Sequence, residues 1–145
     1  MKKSTIVGII LLWSSAVLAK PVDGKYVRIS LLGKDKTLTL AEVEVMSGGK
    51  NVALGCPATQ SGIAYDGAAE RAVDGNRSAQ YESGSISHTD PKLPNPWWMV
   101  ELKQPVPIDE VVIYNRMDVG PERILGARIE ILDSDKKVLV QSPPV

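Results

Sequence analysis

Arg116-Met117-Asp118 is followed, after four residues, by Arg123, with the turn Gly120-Pro121 between the two arginines. A guanidinium presents its donors in a planar fork that fits vicinal oxygens, and a neighbouring carboxylate can hold that fork in place. The same residues also make a surface ion-pair cluster, and nothing in their spacing alone separates the two readings. His88 is the only histidine in the chain. A lone histidine more often fills a core or caps a turn than does chemistry. No second histidine suggests zinc, and no Ser–His–Asp or paired-carboxylate arrangement suggests hydrolysis. A third group is Asp74-Gly75-Asn76 with Ser85 downstream. Oxygen-bearing side chains around a glycine turn suit calcium, which takes six to eight oxygens. A plain turn uses the same dipeptides, and the segment does not match an EF-hand loop.

The elements that must carry these residues read as strands. Tyr26–Leu31 and Glu42–Val45 alternate polar and apolar residues, and Trp98–Leu102, Glu110–Tyr114 and Ala127–Leu132 are rich in β-branched residues. Val138–Val140 is a short last candidate. Turn chemistry separates these runs at Gly48-Gly49, Asp74-Gly75-Asn76, Pro105 with Pro107, Gly120-Pro121 and Asp133-Ser134-Asp135. No window makes an amphipathic helix, and Ala68–Val73 has room for a single turn. The pattern predicts an all-β sandwich or jelly roll. Asp74 to Pro96 is polar, long and without strand pattern, which predicts a binding loop pinned to the core by Asn95-Pro96-Trp97-Trp98.

The 145 residues fit one domain, and 17 basic against 17 acidic residues leave no net charge. Neither nucleic acid nor a strongly charged partner is indicated. Phe is absent, so Val, Ile and Leu must build the core. Lys2-Lys3, an apolar run from Ile6 and the short residues Val17-Leu18-Ala19 form an export leader over residues 1–19. Residues 20–145 are then the domain, secreted or periplasmic, with no membrane insertion after leader removal. A single cysteine, Cys56, excludes an internal disulfide, so another staple such as a bound metal is an option.

Asn51-Val52-Ala53, Ala58–Ser61, Ala72–Asn76, His88-Thr89, Asn95–Trp98, Val100-Glu101-Leu102, Pro107-Ile108 and Asn115-Arg116 resemble, in this order, the F-type lectins (fucolectins). These belong to the discoidin-like, galactose-binding-like jelly rolls. Their sugar motif is a His, about 26 residues, then Arg-x-Asp-x4-Arg or Lys; here 27 residues separate His88 from Arg116. The resemblance implies a non-catalytic module that binds fucose, or a similar sugar on a glycan, through His88, Arg116 and Arg123. It gives Asp118 the task of orienting an arginine. It further implies a structural calcium held by the Arg71 carbonyl, the Asp74 carboxylate, the Asn76 carbonyl and Ser85. The remaining ligands, the Ala41 carbonyl and the Glu42 side chain, stand at the front of this chain, which implies a circularly permuted strand order. The family's adjacent cysteines are replaced by Val119-Gly120, so Val119 and Tyr81 are the expected apolar platform. That replacement leaves a second reading open, a discoidin-like adhesion module without sugar specificity. The short tail after Val140 implies either one strand fewer than the family's sandwich or a sequence that is a fragment.

Overall fold

The computed structural model describes residues 13–145, with no α-helix among them. Eight strands carry the chain: β1 (Trp13–Ser30), β2 (Thr39–Ser47), β3 (Lys50–Asn51), β4 (Ala58–Gln60), β5 (Ser87–His88), β6 (Trp97–Asn115), β7 (Arg128–Leu132) and β8 (Val138–Gln141). Pairing is antiparallel in the order β3-β2-β6-β1-β7-β8, with β4 added to β6 and β5 added to β2. The all-β expectation is met.

Strand β6 joins the parts of this sandwich. Its first half pairs with β1 and β4, and its second half pairs with β1 and β2. Alternation sends Val27, Ile29, Trp98, Val100, Val43, Val45, Val111 and Ile113 into one core, each at most 1% exposed. Trp98 also hydrogen-bonds there, its indole N–H donating to the Ala69 carbonyl at 2.9 Å. Buried aromatic N–H groups need such a partner.

Two sequence expectations are modified. The turn expected at Pro105 and Pro107 is instead part of β6. The β1–β6 register jumps there, from Gly24↔Val106 to Tyr26↔Glu101, leaving Leu102–Pro105 outside the ladder. Proline is tolerated where no ladder donor is needed. The stretch from Asp74 to Pro96 is also more structured than its polarity suggests. It contains a 3-10 turn at Tyr81–Ser83, and Ser85 to Thr89 are buried around β5.

Residues 1–12 of the expected leader lie outside the described residues. The rest of it enters β1, whose Trp13–Val17 pair with Tyr114–Glu110 of β6. Among the described residues no helix is long and apolar enough to cross a membrane.

Candidate functional site

The start of β2 brings distant residues together. Thr39 pairs with His88 of β5, and Leu40 pairs with Asn115, the last residue of β6. His88 and Arg116 therefore meet at one end of β2. Arg123 arrives on the 3-10 turn Pro121–Ile124, which is tied back by Asn115 Nδ2 donating to the Pro121 carbonyl at 2.8 Å. The three side chains line one pocket of about 230 Å³, together with Tyr65, Tyr81 and Val119.

Each member is fixed by its neighbours. Arg116 is 8% exposed and donates from Nε to Asp118 Oδ1 at 2.6 Å, with Nη2 reaching Oδ2 at 3.3 Å. Asp118 also accepts from the backbone N–H groups of Tyr81 and Val119. The Arg116 hydrogen bond, helped by these N–H donors, holds the Asp118 carboxyl down at about 2. Arg116 additionally lies over the Tyr81 ring, 5.1 Å from its centroid. Tyr81 in turn donates its hydroxyl to the Tyr65 carbonyl. A guanidinium pinned by a carboxylate and an aromatic face keeps its remaining donors aimed with little rotamer freedom to lose.

His88 is 3% exposed, and its Nδ1 lies 2.8 Å from the Thr89 carbonyl oxygen. A carbonyl only accepts, so Nδ1 carries the proton. Burial, together with the charges of Arg123 and Arg116, pushes the imidazole pKa below its ordinary value. The neutral ring then offers Nε2 as an acceptor. The trio is thus two donors and one acceptor, not the three donors that the residue types alone suggest.

Three contributors were not legible in the sequence. Tyr65 packs edge-on to the His88 ring with centroids 4.9 Å apart. Gly67 lies against the histidine backbone, where an added Cβ would stand 2.5 Å from both the nitrogen and the Cβ of His88. Gln60 donates to the carbonyls of Gly62, Gly67 and His88, binding the Tyr65 loop to β5. The exposed and turn-forming residues between Gly62 and Gly67 gave no strand or motif signal; only Tyr65 among them was large enough to suggest a platform.

The second cluster lies beside the loop that starts at Asp74. Glu42 is fully buried, and its Oε1 accepts from the Gly75 N–H at 3.0 Å. Its Oε2 has no hydrogen-bond partner. Burial, with Asp74 and Glu44 nearby, pushes the Glu42 carboxyl from 4.5 up to about 7. Ala41 precedes it at a bulge, where Leu40↔Asn115 is followed by Glu42↔Tyr114, so Ala41 has no ladder partner. A bulge releases backbone groups for other uses. Arg71 lies in the 3-10 turn Ala69–Val73. Asp74 Oδ1 accepts from the Asn76 N–H, and Asn76 Nδ2 donates to the Ser83 carbonyl, closing the loop toward buried Ser85. The Ser85 hydroxyl donates to the Ser78 carbonyl. Among the described residues no three His, Cys, Asp or Glu side chains gather into a metal-ligand group. A cation here would draw on the buried Glu42 carboxylate, the exposed Asp74 carboxylate, Ser85 and backbone oxygens, a donor set of calcium type. The orphaned Glu42 oxygen fits that use.

Residues 71–142 match the model of the NedA-like, galactose-binding domain. Fucolectin-3 of Anguilla japonica is 48% identical over 90 residues, covering 57% of this chain and 47% of its own length. Fucolectin-5 of the same organism is 43% identical over 99 residues, covering 65% and 52%. The pentraxin fusion protein of Xenopus laevis is 37% identical over 91 residues, 62% of this chain and 22% of that protein. The chain thus spans about half the length of the fucolectins it matches. No solved structure matches it.

Proposed function

The chain belongs to the F-type lectin family of galactose-binding-like domains, and we propose that its pocket binds fucose, or a sugar of related hydroxyl pattern, without turnover. One observation carries this reading. His88, Arg116 and Arg123 line a single pocket whose remaining wall is Tyr65, Tyr81 and Val119. A deoxy sugar has both surfaces this pocket offers partners for, vicinal hydroxyls and a methyl group. The arginine forks would donate to the hydroxyls, His88 Nε2 would accept from one, and the apolar wall would take the methyl. A sugar lacking the matching hydroxyl would leave a desolvated donor unsatisfied, at a cost of about 1–3 kcal/mol.

The Glu42–Asp74 cluster is proposed to hold a structural calcium, with Glu42 and Asp74 as carboxylate ligands. The carbonyls of Ala41, Arg71 and Asn76, and Ser85, complete the proposed set. In this reading the front-of-chain position of Ala41 and Glu42 reflects a permuted strand order. Export of the chain, with residues 1–19 as the leader and a glycan outside the cytoplasm as partner, belongs to the same proposal.

Calorimetric titration of the purified chain with L-fucose and D-galactose, with and without calcium, tests the assignment. Saturable L-fucose binding is expected, falling roughly 10- to 100-fold in Arg116→Gln, because a charged hydrogen bond is worth about 1.5–3 kcal/mol. Absence of saturable binding to either sugar, or an unchanged affinity in Arg116→Gln, would overturn it.

A further inference from the structure

A second polar groove, of about 430 Å³, shares no lining residue with the pocket of the trio. It lies on the outward face where β6, β1, β7 and β8 run side by side. Register places its residues in two rows. Trp97, Ser30 and Arg128 are cross-strand neighbours in one, and Arg28, Glu130 and Gln141 are neighbours in the other.

Side-chain bonds set the second row in advance. Arg28 Nε donates to Glu130 Oε2 at 2.6 Å, and Gln141 Nε2 donates to Glu130 Oε1 at 2.8 Å. Glu130 is only 5% exposed although it points away from the core. The charge of Arg28 is therefore spent on Glu130. Arg128 differs: its Nη1 reaches only the Gln141 Oε1 and the Ser142 carbonyl, at 3.4 and 3.3 Å. No carboxylate pairs with it among the described residues. The groove consequently keeps one net positive charge, on a guanidinium held in place by neutral oxygens.

The other wall is aromatic. Trp97 is clamped by reciprocal bonds with Ser61, whose hydroxyl accepts the Trp97 N–H and whose N–H donates to the Trp97 carbonyl, both at 3.0 Å. The rim beyond it is fixed as well, since Asn95 and Gly33 exchange two hydrogen bonds at 2.8 and 2.9 Å. An indole and a guanidinium without a carboxylate partner line the same groove, in one cross-strand row through Ser30, and such a pair is a surface for a pyranose ring that carries an anion. The apolar face of the ring stacks on the indole, and the anion meets the arginine fork.

We propose that this groove is a second saccharide site, selective for an acidic sugar bearing a carboxylate. The two sites would let one chain engage two residues of a branched or acidic glycan, raising avidity over either site alone.

Calorimetric titration of the intact chain with tetragalacturonic acid, set against neutral galactotetraose, tests the proposal. One equivalent of the acidic oligosaccharide is expected to bind at least tenfold tighter than the neutral one. Arg128→Gln and Trp97→Ala should each weaken it at least tenfold, while Arg116→Gln leaves it unchanged. Arg128 is partly exposed, so its variant tests the site even if Trp97→Ala unfolds, which a thermal melt would show. Equal affinity for both oligosaccharides, undetectable binding of the acidic one, an unaltered affinity in Arg128→Gln, or loss of binding in Arg116→Gln would each overturn it.

Discussion

The state of His88 decides what the pocket offers a ligand. Its Nδ1 proton is committed to the Thr89 carbonyl, so Nε2 can only accept while the ring is neutral. Protonation would convert Nε2 into a donor and add a third positive charge beside Arg116 and Arg123. Burial and those two arginines hold the pKa below 6.5, so this conversion belongs to acidic solution. Asp118, held at about 2, stays ionised throughout and contributes nothing to the change. L-fucose affinity is therefore expected to hold at neutral and alkaline pH and to fall in acid. Calorimetry across pH 8 to 5 checks this; a fall beginning above pH 7 would assign the titration to another group.

Elements place the trio through two glycines that tolerate substitution differently. At Gly67 an added Cβ meets His88 backbone and Cβ, atoms that cannot swing away. At Gly120, with φ +61°, it meets the Nε of Arg123, 2.5 Å away at the far part of a flexible side chain. Gly67→Ala should thus cost about 1–3 kcal/mol of stability by overpacking, and fucose binding with it. Gly120→Ala should cost about 1–2 kcal/mol for the left-handed backbone while weakening fucose binding through a displaced Arg123. Thermal unfolding with calorimetry on both variants separates these outcomes. The same contrast shows what was legible beforehand. The alternation of Tyr26–Leu31 and the β-branched run Glu110–Tyr114 specified strands, and burial alternates with period two along both. The Arg116, Asp118 and Arg123 spacing specified a local cluster because its members are close in sequence. The Gly67–His88 contact and the edge-on Tyr65 were hidden because they arise only when β5 docks on β2. Pro105 misled for a related reason, since the register jump that excuses it is made by β1, far away in sequence.

At the scale of the whole molecule the open question is what staples a domain whose one cysteine is buried and unpaired. Cys56 is 3% exposed and donates only to the Val52 carbonyl, so no covalent cross-link restrains the chain. Glu42 ties the core to the Asp74 loop, yet in the metal-free chain it is a liability. Its folded-state pKa stands near 7, above its ordinary 4.5. The protonated form is the one the fold accommodates, so the stability this group contributes is full below pH 4.5. That contribution is lost as pH rises through about 7. The proposed calcium would reverse the sense of this linkage by stabilising the ionised carboxylate. Near neutral pH its binding should release protons, since the folded chain favours protonated Glu42. At 100-fold excess over Kd the ion adds about 2.7 kcal/mol, a rise in Tm of roughly 10 °C for a domain of this size. Glu42→Gln keeps the shape of the neutral side chain and the Gly75 bond, so it should remove both the calcium shift and the alkaline loss of stability. Melting curves at pH 5 and pH 8, with calcium and with chelator, check the four corners. A wild-type Tm that ignores calcium at pH 8 would refute the staple, and Glu42→Gln melting lower than wild type in chelator at pH 8 would refute the burial cost assigned to Glu42.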